Sequence, residues 1–343
     1  MRSSGCIDPG PFERAVAVRS VDDAIAWAGE RLDDGADPLD VLDTIAEVQR
    51  RVGERWASGE WTVAQEHDAT SVAVATIEAV DARVRDVPSR NGHVVLTCAE
   101  REWHAVPALM VAAALRSRGW TVTVLGPSAS VARFSAALQD LGPDATAVSC
   151  SVLGALPAAR RFIEASRTAG IPVVVGGSAF GGDASRALAL GATAWAAGAR
   201  EAVETVAALP SVVLAGGSAD DPSAQERAAL ELAADHLLGQ VLRSWAASSS
   251  PESAESATMG GARVAEPAGV PVAEDLVQQS LRAVIASLLT GEPGPLHQTT
   301  AWVAALLQAR GASLEHLRRL GVSMETELRD FPLAQRLVRE HWA

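Results

Sequence analysis

Residues 91 to 125 read NGHVVLTCAEREWHAVPALMVAAALRSRGWTVTVL. Val94-Val95-Leu96-Thr97 is a short apolar run, Ala105 to Arg118 has helical length and spacing, and Thr121 to Leu125 is apolar again. Short apolar runs between turn formers read as buried strands, and longer periodic ones as helices. The alternation continues outward with helices over 130–141, 156–169 and 184–190, and strands over 145–149, 171–175 and 192–196. Strands alternating with helices of this length predict a doubly wound parallel sheet, which binds its ligands at the carboxyl ends of the strands.

Upstream, from Ser20 to Val87, the period is helical. Ala24, Ile25, Ala28 and Leu32 share one helix face; Leu39, Leu42, Ile45, Ala46 and Val48 share another. The segment VGERWASGEWTVAQEHDA (52–69) carries a helix stop at Gly59, an N-cap at Thr62 and its capping-box partner at Gln65. It therefore turns a tight corner between two helices and brings Trp56, Glu66 and His67 towards one spot. Downstream, Asp220 to Trp245 is helical, and a stretch rich in Ser, Ala, Gly and Pro follows. Four apolar helix faces come next, starting at Leu276, Trp302, Leu314 and Phe331.

The expected organisation is α/β plus all-α. It comprises an N-terminal arm (1–18), a helical-bundle cap (19–89), a Rossmann-like domain (91–215), a helix (220–247), a linker (248–272) and an all-helical module (273–343).

The unusual residues fall at the carboxyl ends of the strands. Glu102 and His104 follow the first strand, Ser149 and Ser151 close the third, and Gly176-Gly177 closes the fourth. In this order they resemble the cobalamin-binding signature Asp-x-His-x-x-Gly, Ser-x-Leu, Gly-Gly. The pattern V-G-E-R-W-x-x-G-E-x-x-V-A-x-E-H resembles the helical cap of cobalamin-dependent photoreceptors, including the photocobilins, which add a biliverdin-binding helical domain.

The resemblance implies that His104 is the lower axial ligand of cobalt, with Glu102 accepting from its other ring N–H. Ser151, or Ser149 under a shifted alignment, meets the nucleotide tail, and Gly176 and Gly177 let the backbone approach it. Trp56 and Glu66 lie over adenosylcobalamin, and His67 becomes the upper cobalt ligand after light breaks the Co–C bond. A light-dependent homo-oligomer is the implied output, acting on an unknown downstream signalling protein. In the C-terminal module His297, Trp302 and His316 are candidate contacts for biliverdin. The sequence departs from the signature at two positions: Glu102 stands for Asp, and Pro107 for the motif Gly.

A net charge of -13, with all 29 basic residues Arg, argues against direct nucleic-acid binding. No helix-turn-helix pattern precedes the cap, no apolar run reaches the roughly 20 residues of a membrane span, and no signal peptide is recognisable, so a cytoplasmic protein is expected. Cys6, Cys98 and Cys150 suggest neither a disulfide framework nor a zinc site. A non-enzymatic light sensor is the primary expectation. The rivals are a corrinoid protein of a methyltransferase system, which needs an open upper face, and a cobalamin-binding subunit of an adenosylcobalamin mutase, which needs a barrel partner.

Overall fold

The computed structural model describes residues 7–100, 102–213, 223–248 and 273–342. They fall into two compact units, Met1–Gly217 and Ser218–Ala343.

The first unit opens with four helices, α1 (Gly10–Ala17), α2 (Val21–Asp33), α3 (Pro38–Ala57) and α4 (Val63–Val84). The structure corrects the expectation of an arm over 1–18. Phe12, Ala15 and Val16 of α1 are buried, Phe12 stacks on Trp27 at 4.9 Å, and Glu13 pairs with Arg51 and Arg55. Eight residues starting at a Gly and flanked by Pro are too few to show a period, so packing determines this helix and its pattern does not reveal it. Gly59 takes φ +79° after α3. Thr62 and Gln65 complete the capping box of α4, an arrangement worth about 1 kcal/mol.

A five-stranded, all-parallel sheet follows, in the order β2-β1-β3-β4-β5. Its strands are β1 (His93–Cys98), β2 (Thr121–Val124), β3 (Ala145–Ser149), β4 (Val173–Gly176) and β5 (Ala194–Ala196). The intervening helices are α5 (Val106–Ser117), α6 (Val131–Leu141), α7 (Leu156–Thr168) and α8 (Ser185–Ala189), with α9 (Ala199–Ala207) after β5. The chain runs outward from β1 to β2 and then returns to β3, so the winding reverses between β1 and β3. In doubly wound sheets the ligand crevice opens at that reversal. The strand ends lie in register, with Cys98 opposite Ser149, Ser149 opposite Gly176, and Gly176 opposite Ala196.

The cap is fastened to the sheet domain by ion pairs. Arg116 reaches the buried Asp81 at 2.6 Å, Arg118 reaches Asp37 at 2.6 Å, and Arg200 reaches Asp40 and Asp43 at 2.7 Å each.

The second unit contains α10 (Ala224–Ala247), α11 (Ala273–Thr290), α12 (Gly294–Ala309), α13 (Glu315–Glu327) and α14 (Pro332–His341). The helix expected to stand apart over 220–247 belongs to this module. Its Leu230, Leu237, Val241, Leu242 and Trp245 are buried. The Trp245 indole N–H donates to the His316 carbonyl at 3.1 Å, and Glu226 accepts the N–H groups of Leu333 and Ala334. The linker expected over 248–272 lies outside the described residues except for Ser248. No helix among the described residues is long and apolar enough to cross a membrane.

Candidate functional site

A cavity of about 660 Å³ lies between α3 and the carboxyl ends of β1, β3, β4 and β5, a volume within the range of small-molecule sites. Small side chains open it, because Ala108, Ala147, Gly176, Ala196 and Ala202 stand where larger ones would fill the space. Met110, Val111 and Val174 make much of the remaining wall apolar.

His104 lies at the cavity wall on the loop after β1, with 65% of its side chain exposed. Glu102, two residues earlier, is completely buried. Its Oε1 lies 2.7 Å from His104 Nδ1 and accepts the His104 backbone N–H at 2.8 Å. Its Oε2 accepts the N–H groups of Ser151 at 2.5 Å and Val152 at 2.9 Å. One carboxylate thus joins the loop after β1 to the loop after β3. With Nδ1–H donated to Glu102, the imidazole keeps its Nε2 lone pair for a ligand.

The hydrogen bond to Glu102 raises the His104 pKa above the ordinary 6.5; burial opposes this, and the charges of Glu102 and Glu66 add to it. Burial alone would raise Glu102, but hydrogen bonds from the His104 ring and backbone and from Ser151 outweigh it and hold the carboxyl low. The signs place the pair's contribution to stability in one pH window. It is lost as pH falls through the lowered Glu102 pKa, and lost again as pH rises through the raised His104 pKa. Replacing Glu102 with Gln should move the His104 titration of the cofactor-free protein down towards 6.5. An NMR titration of the ring protons checks this, and an unmoved midpoint would refute the pairing.

Ser149 is the last residue of β3 and only 8% exposed; its Oγ is buried without a hydrogen-bond partner. A buried hydroxyl facing a cavity without a partner costs free energy until a ligand supplies one. Ser151 also lines the cavity, but Glu102 engages its backbone. Gly177 takes φ +103°, and a Cβ there would lie 2.3 Å from the Cys150 carbonyl oxygen. Pro107 falls at a helix start, where a missing N–H costs α5 nothing. Burial, with Glu102 adding, pushes the Cys98 thiol up to about 12, and burial also raises Cys150. Both thiols are therefore uncharged, and the site offers a metal an imidazole rather than a thiolate.

On the cap side the walls are Asp43, Ala46, Gln49, Arg50 and Gly53 of α3, none of them singled out from the sequence as a site residue. They recur at helical spacing on a face distinct from the buried Val41, Ile45, Val48 and Val52, and that second periodicity is the signal that could have found them. Trp56, Glu66 and His67 are not part of the cavity wall. Trp56 is half-buried in the last turn of α3, and Glu66 is half-buried in the first turn of α4. The side chain of His67 is 73% exposed, its Nε2 3.6 Å from Glu66 Oε2. The Glu66 charge adds to the upward shift of the His104 pKa, behind the larger effect of Glu102. In the second unit the His297 and His341 rings stand 5.3 Å apart and those of His316 and Trp245 6.4 Å apart. Among the described residues no hydrogen bond or ring contact joins His297, Trp302 and His316 to one another.

Two family models, each described as a B12 binding domain, match this chain, one over residues 12–80 and the other over 92–209. The HTH-type transcriptional repressor CarH of Myxococcus xanthus is 33% identical over 147 residues, 41% of this chain and 48% of the repressor. The chain thus spans about half the length of that relative. The monomethylamine corrinoid protein of Methanosarcina barkeri shares the fold at TM-score 0.50 and 17% identity, over 57% of this chain and 95% of that one.

The site fits cobalamin on three observations. A single imidazole with a free Nε2 suits a metal that brings its own equatorial ligands. The unpartnered Ser149 hydroxyl awaits a polar atom in an otherwise apolar slot, and Gly176 and Gly177 keep the rim of that slot bare. Residues 12–80 and 92–209 therefore form a pair of B12-binding domains, a helical cap on a parallel-sheet domain, in a chain that resembles the cobalamin-dependent photoreceptors.

Proposed function

We propose that this chain is a light sensor that holds adenosylcobalamin between its helical cap and its parallel-sheet domain. The observation that carries the reading is the shared cavity, walled by α3 on one side and by the strand ends on the other, with His104 at its edge. The identity to a transcriptional repressor supports a regulatory role over a catalytic one. The likeness to the corrinoid protein is one of fold.

Bound adenosylcobalamin supplies a photolabile cobalt–carbon bond. The chain's own residues do the rest. His104 would hold cobalt, its tautomer and orientation fixed by the hydrogen bond to Glu102. Ser149, Gly176 and Gly177 receive the nucleotide tail. Trp56 and Glu66 would meet the adenosyl group from the cap corner, and the exposed His67 is the cap residue that would hold cobalt after illumination. A cap that contacts the upper group in one state and loses that contact in the other has the differential interaction a two-state switch requires. Self-association is the proposed output. Biliverdin uptake by the second helical unit is a separable proposal.

The test loads the protein with adenosylcobalamin in the dark, illuminates it, and follows the absorption spectrum and the size-exclusion position. Both should change in the wild type. Trp56→Ala should still photolyse but lose the dependence of oligomer size on the adenosyl group, since burying an indole contributes on the order of 2 kcal/mol. A wild type whose spectrum changes with no change in size, association or cap exposure would remove the sensor function.

A further inference from the structure

We propose that Thr70 and Gln49 are positioning residues for Glu66, and that through them the α3 wall of the cavity and the α4 carboxylate act as one element in discriminating the upper axial group of the cofactor. This rests on the sensor reading above and names residues that nothing in the signature includes.

Thr70 sits one helical turn after Glu66 on α4, and its Oγ1 lies 2.9 Å from Glu66 Oε1 and 3.4 Å from Gln49 Oε1. A hydroxyl has one proton to donate, so the two acceptors compete for it and the carboxylate holds the shorter bond. Gln49, on α3, donates its Nε2 to the Ala69 carbonyl at 3.3 Å and also lines the cavity. Gln49 therefore touches the cavity, the backbone of α4 and the hydroxyl that holds Glu66.

Glu66 is held on one side, by Thr70. Thr70 engages Oε1, and Oε2 faces the His67 ring at 3.6 Å. A half-buried carboxylate on a first helical turn has several open rotamers, and a hydrogen bond from one turn ahead selects one of them. A ligand group that displaces Gln49 frees the Thr70 proton wholly for Glu66. Through Gln49 the occupant of the cavity is thereby reported to the α3–α4 contact.

The test compares wild type, Thr70→Val and Thr70→Ser in full-length protein. Affinities for adenosylcobalamin and hydroxocobalamin are measured in the dark, and the Glu66 amide resonance is followed in cofactor-free protein. Valine keeps the shape and removes the proton; serine keeps the proton. Thr70→Val should lower the adenosyl-to-hydroxo affinity ratio roughly tenfold and shift the Glu66 amide, while Thr70→Ser stays within about twofold of wild type. A Thr70→Val protein with the wild-type ratio overturns this inference and leaves the sensor reading standing. A wild type that binds both forms equally overturns the sensor reading and this inference with it.

Discussion

Gly177→Ala should cost the protein about 2–6 kcal/mol, summed from roughly 1–3 for strained backbone and 1–3 for overpacking. Gly177 adopts φ +103°, where an L side chain is strained whatever the space around it. Here the space is also taken: the new Cβ would lie 2.3 Å from the Cys150 carbonyl oxygen, 2.7 Å from its carbon and 3.1 Å from its nitrogen. Those are backbone atoms just past the end of β3, so no side-chain rotation relieves the contact. Relief requires the strand end to move, and Ser149, Ser151 and Val152 would move with it. Glu102 would then lose the two N–H groups it accepts there. Against a typical domain stability of about 5–15 kcal/mol, the loss is large. Thermal or urea unfolding of the cofactor-free protein reads it directly. Gly176→Ala provides a graded comparison, because its Cβ would meet one carbonyl oxygen, that of Ala196, at 2.8 Å and its φ is ordinary. A Gly177→Ala protein that melts with wild type would show that the rim is soft.

His104→Ala should produce the opposite profile, little change in folding and a large loss of binding. With most of the His104 side chain exposed, truncation removes little packing. It leaves the buried Glu102 with three backbone donors, because the N–H of residue 104 survives the substitution beside those of Ser151 and Val152. Removing a hydrogen-bond partner of a metal ligand costs about 10- to 100-fold in affinity, and removing the ligand itself should cost at least the upper end of that. Titration with hydroxocobalamin, followed by absorbance, measures both affinity and the identity of the lower ligand. Unchanged affinity with an unchanged spectrum would remove His104 from the coordination sphere. Low affinity accompanied by a collapsed melting temperature would instead mean that the loop, and not the ligand, had been lost.

Much of this was legible in the sequence for one physical reason. A parallel strand buried on both faces is an uninterrupted apolar run, so Val94–Thr97 and Ala145–Ser149 announce themselves. The loops that follow such strands are where ligands bind, which singled out His104 and the Gly176-Gly177 pair. The choice between Ser149 and Ser151 was not legible, because two hydroxyls two residues apart read alike until strand register is known. Register makes Ser149 the last residue of β3 and leaves its Oγ unpartnered, whereas the Ser151 backbone is already committed to Glu102. The α3 wall was hidden for another reason: Asp43, Arg50 and Gly53 look like the solvated side of any amphipathic helix. Only the sheet domain standing opposite makes them a wall. The helix α10 was set apart by the Ser- and Pro-rich stretch after it, since sequence proximity cannot show that Trp245 packs beside His316.

The ion pairs that fasten the cap have a mechanical meaning. Asp37 caps α3, Asp40 and Asp43 lie in its first two turns, and Asp81 lies near the end of α4. Both helices are thus pinned to the sheet domain at the end away from the corner that joins them. That corner carries Trp56 and Glu66. A helix of 20 residues is about 30 Å long, so α3 works as a lever whose fulcrum is electrostatic. A tilt of a few degrees at the pinned end, too small to break a salt bridge, displaces the corner by an ångström or more. The fulcrum and the tip also answer to different conditions. Salt screens the part-exposed Arg200 and Arg118 pairs but has no charge to act on in the Trp56 indole at the tip, so ionic strength should tune how stiffly the lever is held without changing what that indole touches.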